Sequence, residues 1–169
     1  LGIEYNADMV ALSKRNAEQE GVADRAQFMQ GDIFQTDFSK ATVLTLYLLP
    51  ALNLKLRPTI LRMKPGTRVV SHAFSMGDWQ PDQIETVEGR TAYVWIVPPQ
   101  VEGSWRWGGP RKLEMLVQQH FQQVEGLVKI DARAAQFRDA RLQGDRISFS
   151  VIEYSGMGNV QHDYTGRVN

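Results

Sequence analysis

Hydrophobic positions in the first half of the chain recur at spacings that switch between strand and helix. Short apolar runs at residues 1–5 and 26–30 predict two strands. Between them, residues 7–20 carry valine and alanine at helical spacing. Asn6 is suited to cap that helix, and Gly21 suits the left-handed position after its last turn. The pattern therefore predicts a strand–helix–strand unit.

The next segments repeat this alternation. Residues 42–48 (TVLTLYL) are apolar and rich in β-branched side chains, as expected of a strand buried on both faces. Pro50 can begin a helix that we expect over residues 51–63, and a Lys-Pro-Gly turn then leads to a strand at 67–74. Strands separated by helices favour parallel βαβ units, so the predicted fold class is α/β with a doubly wound sheet.

The second half is dominated by alternation of apolar and polar residues. Residues 91–97 (TAYVWIV) predict a strand, and Gly144-Asp145 predicts the turn of a hairpin. We therefore expect residues 1–90 to form one domain and residues 91–169 to form an antiparallel β-rich extension that packs on the sheet or continues it.

Composition removes several classes of site and partner. The chain has 169 residues with 19 basic and 19 acidic side chains, so it lacks the positive charge usual in nucleic-acid-binding proteins, and we expect no such partner. It contains no cysteine, which excludes disulfides and thiolate metal sites. Its three histidines are scattered without metal-ligand spacing, so we expect no metal.

The ends and the apolar runs bear on location. No apolar run reaches the roughly 20 residues that cross a bilayer, and the start shows no signal-peptide pattern. We therefore expect no membrane span and a cytoplasmic location. The chain begins with Leu1 rather than Met, and we expect it to begin inside a longer polypeptide.

An acidic residue stands where the first predicted strand ends. Ligands of doubly wound sheets bind beyond the carboxyl ends of the strands, where a carboxylate such as Glu4 can accept hydrogen bonds from both hydroxyls of a ribose. A solvated acid in a loop is the alternative for Glu4 taken alone.

Gly31-Asp32 stands at the end of the second strand. The Asp32 carboxylate can accept the exocyclic amine of an adenine, and the Ile33 N–H can meet a ring nitrogen. A type I turn, which Gly-Asp makes readily, is the alternative. The succession of acid, helix, strand and Gly-Asp favours an adenosine-containing cofactor.

Two longer runs resemble a known family. Residues 1–34 resemble class I S-adenosylmethionine-dependent methyltransferases from their second strand through their third. Residues 41–82 are similar to a bacterial group related to the lysine methyltransferases of the ATP synthase c subunit. The shared features are a strand ending in Leu49-Pro50, a Leu/Lys-rich helix, an "RVV" strand, and Trp79 with Pro81.

The resemblance implies a Rossmann-like methyltransferase fold and methyl transfer from S-adenosylmethionine to a protein lysine or a small molecule. By position, Glu4 binds the ribose and Asp32 the adenine. The end of the fourth family strand faces the methyl group, so Tyr47, Leu49 and Pro50 line the methyl-transfer site, with the Tyr47 ring orienting an amine. Packing of Tyr47 in the core is the alternative.

Residues near the following strand are candidates for the acceptor pocket. Trp79 can wall a substrate pocket, and Asp78 can attract a cation. A lone histidine in a strand, such as His72, is more typical of a structural residue. Residues 113–124 fit a helical stripe and a strand alternation alike, and the resemblance favours the strand.

The sequence departs from the family at one point, because the first strand and the acidic-Gly-x-Gly-x-Gly loop after it are absent. The expected fold is therefore a Rossmann-like sheet that lacks its first strand in this chain, followed by the antiparallel β extension. Two other functions stay open. One is a nicotinamide-dependent oxidoreductase, whose cofactor also places a ribose on an acid after the second strand. The other is a non-catalytic binding module on a truncated methyltransferase-like fold.

Overall fold

The computed structural model describes residues 1–108, 110–131, 133–155 and 158–168, which form two helices and twelve strands. The helices are α1 (Ala7–Gln19) and α2 (Pro50–Ile60). The first six strands are β1 (Gly2–Glu4), β2 (Phe28–Gln30), β3 (Val43–Leu46), β4 (Arg68–His72), β5 (Gln83–Val87) and β6 (Arg90–Ile96). The other six are β7 (Gly103–Trp107), β8 (Leu113–His120), β9 (Gln123–Ile130), β10 (Arg133–Gln143), β11 (Arg146–Ser155) and β12 (Gly158–Arg167). The fold is mixed α/β, with several sheets and few helices.

The chain divides into two compact units, Leu1–Lys40 and Ala41–Asn169. In the first unit, β1 and β2 pair in parallel. Asn6 caps α1 because its Oδ1 accepts the N–H groups of Asp8 and Met9, at 2.8 and 3.3 Å. Gly21 follows the helix with a φ of 64°. The predicted strand–helix–strand unit is confirmed.

A four-stranded sheet of the second unit has the order β3-β4-β6-β5. Strands β3 and β4 are parallel, whereas β6 runs antiparallel to both β4 and β5. The strands predicted at 42–48, 67–74 and 91–97 are confirmed as β3, β4 and β6. Strand β5 was not predicted, because all five of its residues are exposed and no alternation of burial marks it.

Helix α2 joins β3 to β4. Pro50 occupies its first turn, as predicted, since a proline there removes only an N–H that has no partner within the helix. The helix ends at Ile60, three residues before the predicted end. Its buried face carries Asn53, Leu56 and Ile60.

The remaining six strands form an antiparallel sheet in the order β12-β11-β10-β9-β8-β7. One face of this sheet carries a buried apolar cluster, which Val101 joins from the segment before β7. The strand residues of the cluster are Leu113, Met115, Val117, Val124, Val128, Ile130, Leu142, Phe149 and Val151. The hairpin predicted at Gly144-Asp145 joins β10 to β11, with Gly144 at a φ of 61°. Residues 113–120 form a strand, so the helical alternative for this segment is wrong.

The predicted division at residues 90/91 differs from the observed one at 40/41. The 90/91 boundary falls after the first residue of β6, and β6 pairs with β5 in one sheet, with Val87 opposite Arg90. The antiparallel extension predicted from residue 91 therefore begins with a strand that belongs to the four-stranded sheet. Strands β1 and β3 each lie at the edge of their own sheet.

Candidate functional site

Glu4 and the Gly31-Asp32 turn lie side by side in the first unit. The Gly31 N–H donates a 3.0 Å hydrogen bond to the Glu4 carbonyl, because parallel pairing of β1 with β2 brings their carboxyl ends together. The Glu4 side chain is exposed, and its Oε1 accepts the Asn6 N–H at 2.8 Å. Its Oε2 has no hydrogen-bond partner within the described ranges.

Asp32 begins a tight turn, which was the alternative to a ligand-binding role for this residue. Its carbonyl accepts the N–H groups of Gln35 and Thr36, both at 2.9 Å, and its Oδ1 accepts the Phe34 N–H at 2.8 Å. The carboxylate is nevertheless exposed. Among the residues that the structure describes, the Ile33 N–H donates to no acceptor. The turn thus presents a carboxylate and a free N–H next to each other.

Tyr47 lies just beyond the end of β3 and is 84% exposed, so the alternative in which it packs in the core is wrong. Its ring stacks on His72, with ring centroids 4.9 Å apart and an interplanar angle of 28°. His72 ends β4, the parallel neighbour of β3. The carboxyl ends of β3 and β4 therefore carry a stacked pair of rings, of which Tyr47 is exposed and His72 is half-buried.

Leu49 and Pro50 form the start of α2, and both are exposed. The Leu49 carbonyl accepts the N–H groups of Leu52 and Asn53, at 3.0 and 3.1 Å. Both lone pairs of that oxygen are engaged in starting the helix, so it is not free to orient an amine. The Tyr47 hydroxyl, by contrast, has no partner in the described part of the chain.

Asp78 is exposed and bound to the protein's own cation. Its carboxylate forms an ion pair with Arg57, and His120 Nε2 lies 3.9 Å from its other oxygen. The hydrogen bond from Arg57 holds the pKa of the Asp78 carboxyl below its usual range. A cationic ligand at Asp78 would have to compete with Arg57.

Trp79 occupies a position different from the predicted pocket wall, because its side chain is fully buried. Its ring stacks on that of Phe121, with ring centroids 5.8 Å apart, and its centroid lies 5.9 Å from that of the Trp95 ring. Its indole N–H donates to Gln122 Oε1 at 3.0 Å, and its carbonyl accepts the Trp95 indole N–H at 2.9 Å. Trp79 therefore fixes the segment after β4 in the interior of the second unit.

Three residues that the sequence did not single out connect elements within the second unit. Asn53 is buried and reaches from α2 to the end of β4, as its hydrogen bond to Ser71 shows. Phe121 and Gln122 form the turn between β8 and β9 and contact the buried Trp79. No local pattern marks these residues, because their partners are 18 to 43 positions away in the sequence.

The second unit also contains a groove of about 710 Å³ between its two sheets, lined by residues that include Asp82, Val94, Glu125 and Arg141. Burial raises the pKa of the Asp82 carboxyl. None of the predicted site residues lines this groove, so it is a separate surface. Within the described ranges, no group of three or more His, Asp or Glu side chains is arranged to hold a metal ion, and neither helix is long and apolar enough to cross a membrane.

Residues 1–83 match the family model of the ANTKMT methyltransferase domain. A protein-lysine N-methyltransferase of Saccharolobus islandicus is 37% identical over 102 residues, which are 57% of this chain and 63% of that protein. The lysine N-methyltransferase of the ATP synthase c subunit of Homo sapiens is 30% identical over 90 residues, which are 53% of this chain and 38% of that protein. The predicted resemblance to lysine methyltransferases is confirmed.

A solved structure is similar as well. The RNA methyltransferase from Salinibacter ruber, in complex with S-adenosyl-L-homocysteine, is 50% identical with a TM-score of 0.57. The match covers 59% of this chain and 66% of that one. This chain thus spans between about two fifths and two thirds of the length of the proteins that it matches.

Proposed function

We propose that this chain, whose residues 1–83 are similar to methyltransferase domains, takes part in methyl transfer from S-adenosylmethionine. The observation that carries the proposal is the pair of exposed carboxylates at the adjoining ends of β1 and β2, within the matched segment. Such a pair suits a nucleoside, with the ribose at one acid and the base at the other.

The residues present fit the adenosine part of the cofactor. Glu4 Oε2 is free to accept a ribose hydroxyl, while Oε1 is held in place by the Asn6 N–H at 2.8 Å. Asp32 offers an acceptor and the Ile33 N–H a donor, the complement of an adenine edge. When bound, the cofactor supplies an electrophilic methyl group. We also propose a Rossmann-like arrangement of the sheet, a cofactor-binding role for residues 1–90 and a cytoplasmic location.

For the acceptor, we propose the side-chain amine of a protein lysine. Support comes from two relatives that are named as lysine methyltransferases, and from the exposed Tyr47 ring at the end of β3. The electron-rich face of an aromatic ring attracts a cationic amine, and the Tyr47 hydroxyl can accept a hydrogen bond from it. The amine then loses one proton to water, so that its nitrogen has a lone pair to take the methyl group. Tyr47, Leu49 and Pro50 then border the amine.

A nucleic-acid acceptor is the second candidate, because the Salinibacter ruber protein, at 50% identity, is described as an RNA methyltransferase. Incubation with S-adenosylmethionine labelled on its methyl group, together with a mixture of cellular protein and RNA, separates the two. Label that survives ribonuclease but not protease supports the lysine acceptor, and the reverse pattern supports RNA.

The cofactor proposal is tested by calorimetric titration of S-adenosylmethionine and S-adenosylhomocysteine into this chain. We expect both to bind, and we expect Glu4→Ala to weaken binding by about ten-fold or more, since a charge-assisted hydrogen bond contributes roughly 1.5–3 kcal/mol. Glu18→Ala is the matched control, because Glu18 is an exposed acid of the same unit on α1.

Two outcomes would contradict the proposal. If neither compound binds, the chain does not hold this cofactor, and a non-catalytic binding module on a methyltransferase-like frame fits better. If Glu4→Ala and Glu18→Ala weaken binding equally, the Glu4 carboxylate does not contact the ribose.

A further inference from the structure

Asn53 connects the segments on both sides of the Tyr47–His72 ring pair. Its backbone N–H donates to the Leu49 carbonyl at 3.1 Å, two residues after Tyr47. Its side-chain Nδ2 donates to Ser71 Oγ at 2.9 Å, one residue before His72. Asn53 and Ser71 are both fully buried, so water does not compete for this bond.

The same amide reaches past the end of β4. Asn53 Nδ2 lies 3.3 Å from the Phe74 carbonyl oxygen and 3.4 Å from that of Ser75. These two acceptors fix the orientation of the amide, because only its nitrogen can donate to carbonyls. One side chain thus holds the last part of β4 and the turn that follows it.

That turn is strained. Ala73 has a φ of 64°, a conformation that side chains other than glycine rarely adopt, and the Phe74 N–H donates back to the His72 carbonyl at 2.8 Å. Such a conformation persists only where the surroundings hold it. The Ala73 N–H, which donates to the Thr91 carbonyl at 2.7 Å, and the Asn53 amide provide that restraint.

Asn53 lowers the stability of the fold through one of its two polar side-chain atoms. Its Oδ1 is buried without a hydrogen-bond partner among the described residues. An unpaired buried acceptor lowers stability, so an apolar side chain would suit this face of α2 better if packing alone mattered. The cost is understandable if the amide has a second task.

We propose that Asn53 is a positioning residue of the methyl-transfer site, which sets the turn after β4 and thereby holds His72 against the Tyr47 ring. This inference rests on the proposed function for its purpose, but its geometry can be tested without cofactor or acceptor. Asn53 itself does not contact the amine. It acts through His72, whose ring supports the exposed Tyr47 ring from one side.

The test is the nuclear Overhauser effect between the ring protons of Tyr47 and His72 in this chain. We expect a clear signal in the unsubstituted protein and its loss in Asn53→Ala. The matched control is Thr67→Val, which removes another buried polar group of the same sheet, at the other end of β4, where Thr67 Oγ1 donates to the Ala41 carbonyl. We expect Thr67→Val to lower stability towards urea and to keep the signal.

Ser71→Ala is a milder variant in case Asn53→Ala does not fold. It removes one of the three acceptors, and we expect it to weaken the signal. An unchanged signal in folded Asn53→Ala, or in Ser71→Ala if only that variant folds, would overturn the inference, as would equal loss in Thr67→Val. If the unsubstituted chain fails to bind S-adenosylmethionine, the proposed function fails, and the ring signal still decides the role of Asn53.

Discussion

At the scale of single residues, the strongest electrostatic feature is Arg111. Its Nε donates to Asp131 Oδ2 at 2.7 Å, and its two terminal nitrogens donate to the two oxygens of Glu153, each at 2.7 Å. These bonds hold the pKa of Glu153 and that of Asp131 below their usual values, the Arg111 hydrogen bond being the main cause for both. His162 Nε2 also lies 3.8 Å from Glu153.

Because these two pKa values are lowered in the folded state, the stability of the fold depends on pH. A carboxyl group whose pKa is lower in the folded state stabilises the fold above its unfolded pKa, and this contribution disappears as pH falls through the folded pKa. We therefore expect Arg111→Gln to lower the free energy of unfolding at pH 7 and to have little effect in strong acid. Urea denaturation at pH 7 and in strong acid measures the free energy of unfolding under both conditions. Arg106→Gln is the control, since Arg106 Nε lies 3.6 Å from Glu114 Oε1 on an exposed surface, where an ion pair contributes little. An equal effect of Arg111→Gln at both pH values would contradict the expectation.

The residues of the candidate site differ in how far the sequence predicts them. The adjacency of Glu4 and Asp32 follows from sequence, because parallel strands bring their carboxyl ends to one edge. The burial of Trp79 does not follow, because Phe121 covers it from a distant turn of the chain, and periodicity carries no information about such contacts. Asn53 was missed for the same reason, since its partners lie in β4 and the turn after it.

At the scale of elements, β9 has one position at which β8 leaves no room for a side chain. Gly126 lies within β9 opposite Val117, and a Cβ atom added there would stand 2.8 Å from the Leu116 carbonyl oxygen. That oxygen belongs to the backbone and cannot rotate away. The position therefore requires glycine because of space, although its φ is ordinary.

Gly126→Ala should push the two strands apart. We expect a loss of about 1–3 kcal/mol in the free energy of unfolding, the usual range for overpacking. Gly166→Ala in β12 is the matched control, because the nearest atom to its added Cβ would be 3.7 Å away, and we expect it to be neutral or slightly stabilising. Chemical denaturation of the two variants decides the matter, and equal stability would contradict a close approach at residue 126.

The elements themselves were predicted unevenly. The helices and the apolar runs gave clear signals, and α1, α2, β3, β4 and β6 were predicted close to their true bounds. Burial of β3 on both faces was a wrong expectation, because only Leu46 of that strand is buried. Strand β5 gave no signal because it has no buried face. Residues 113–124 were ambiguous because a strand and a turn together mimic a helical stripe. The pairing of β8 with β9 resolves that ambiguity, and pairing is a property of the sheet rather than of the segment.

At the scale of the whole molecule, the two units differ greatly in the extent of their pairing. In the first unit, β1 and β2 pair over three residues, whereas β11 pairs over ten residues with β12 and also pairs with β10. Short pairings of two strands open by small fluctuations, whereas central strands open only with the sheet.

Hydrogen exchange should therefore separate the units. We expect the amides at the centre of β11 to exchange about 100-fold or more slowly than that of Gly31, whose N–H donates to the Glu4 carbonyl across the β1–β2 pair. A 100-fold difference corresponds to roughly 3 kcal/mol of opening free energy. Exchange followed by nuclear magnetic resonance gives both rates in one sample. Equal protection would mean that the two units open as one cooperative body. The division itself was not predicted, because the sequence pattern of residues 1–90 continues through residue 40 without a break.

The turn at Phe121 and Gln122 limits which amino-acid substitutions this chain can accept in evolution. Position 121 must accept a φ of 54° and also present a flat ring to Trp79 and to the Arg57 guanidinium, 5.3 Å above it. Position 122 must present an amide to the Trp79 indole N–H. The outer strands of the extension can accept many substitutions as long as their core face stays apolar. Residues 121 and 122, by contrast, can be substituted only if their distant partners are substituted as well.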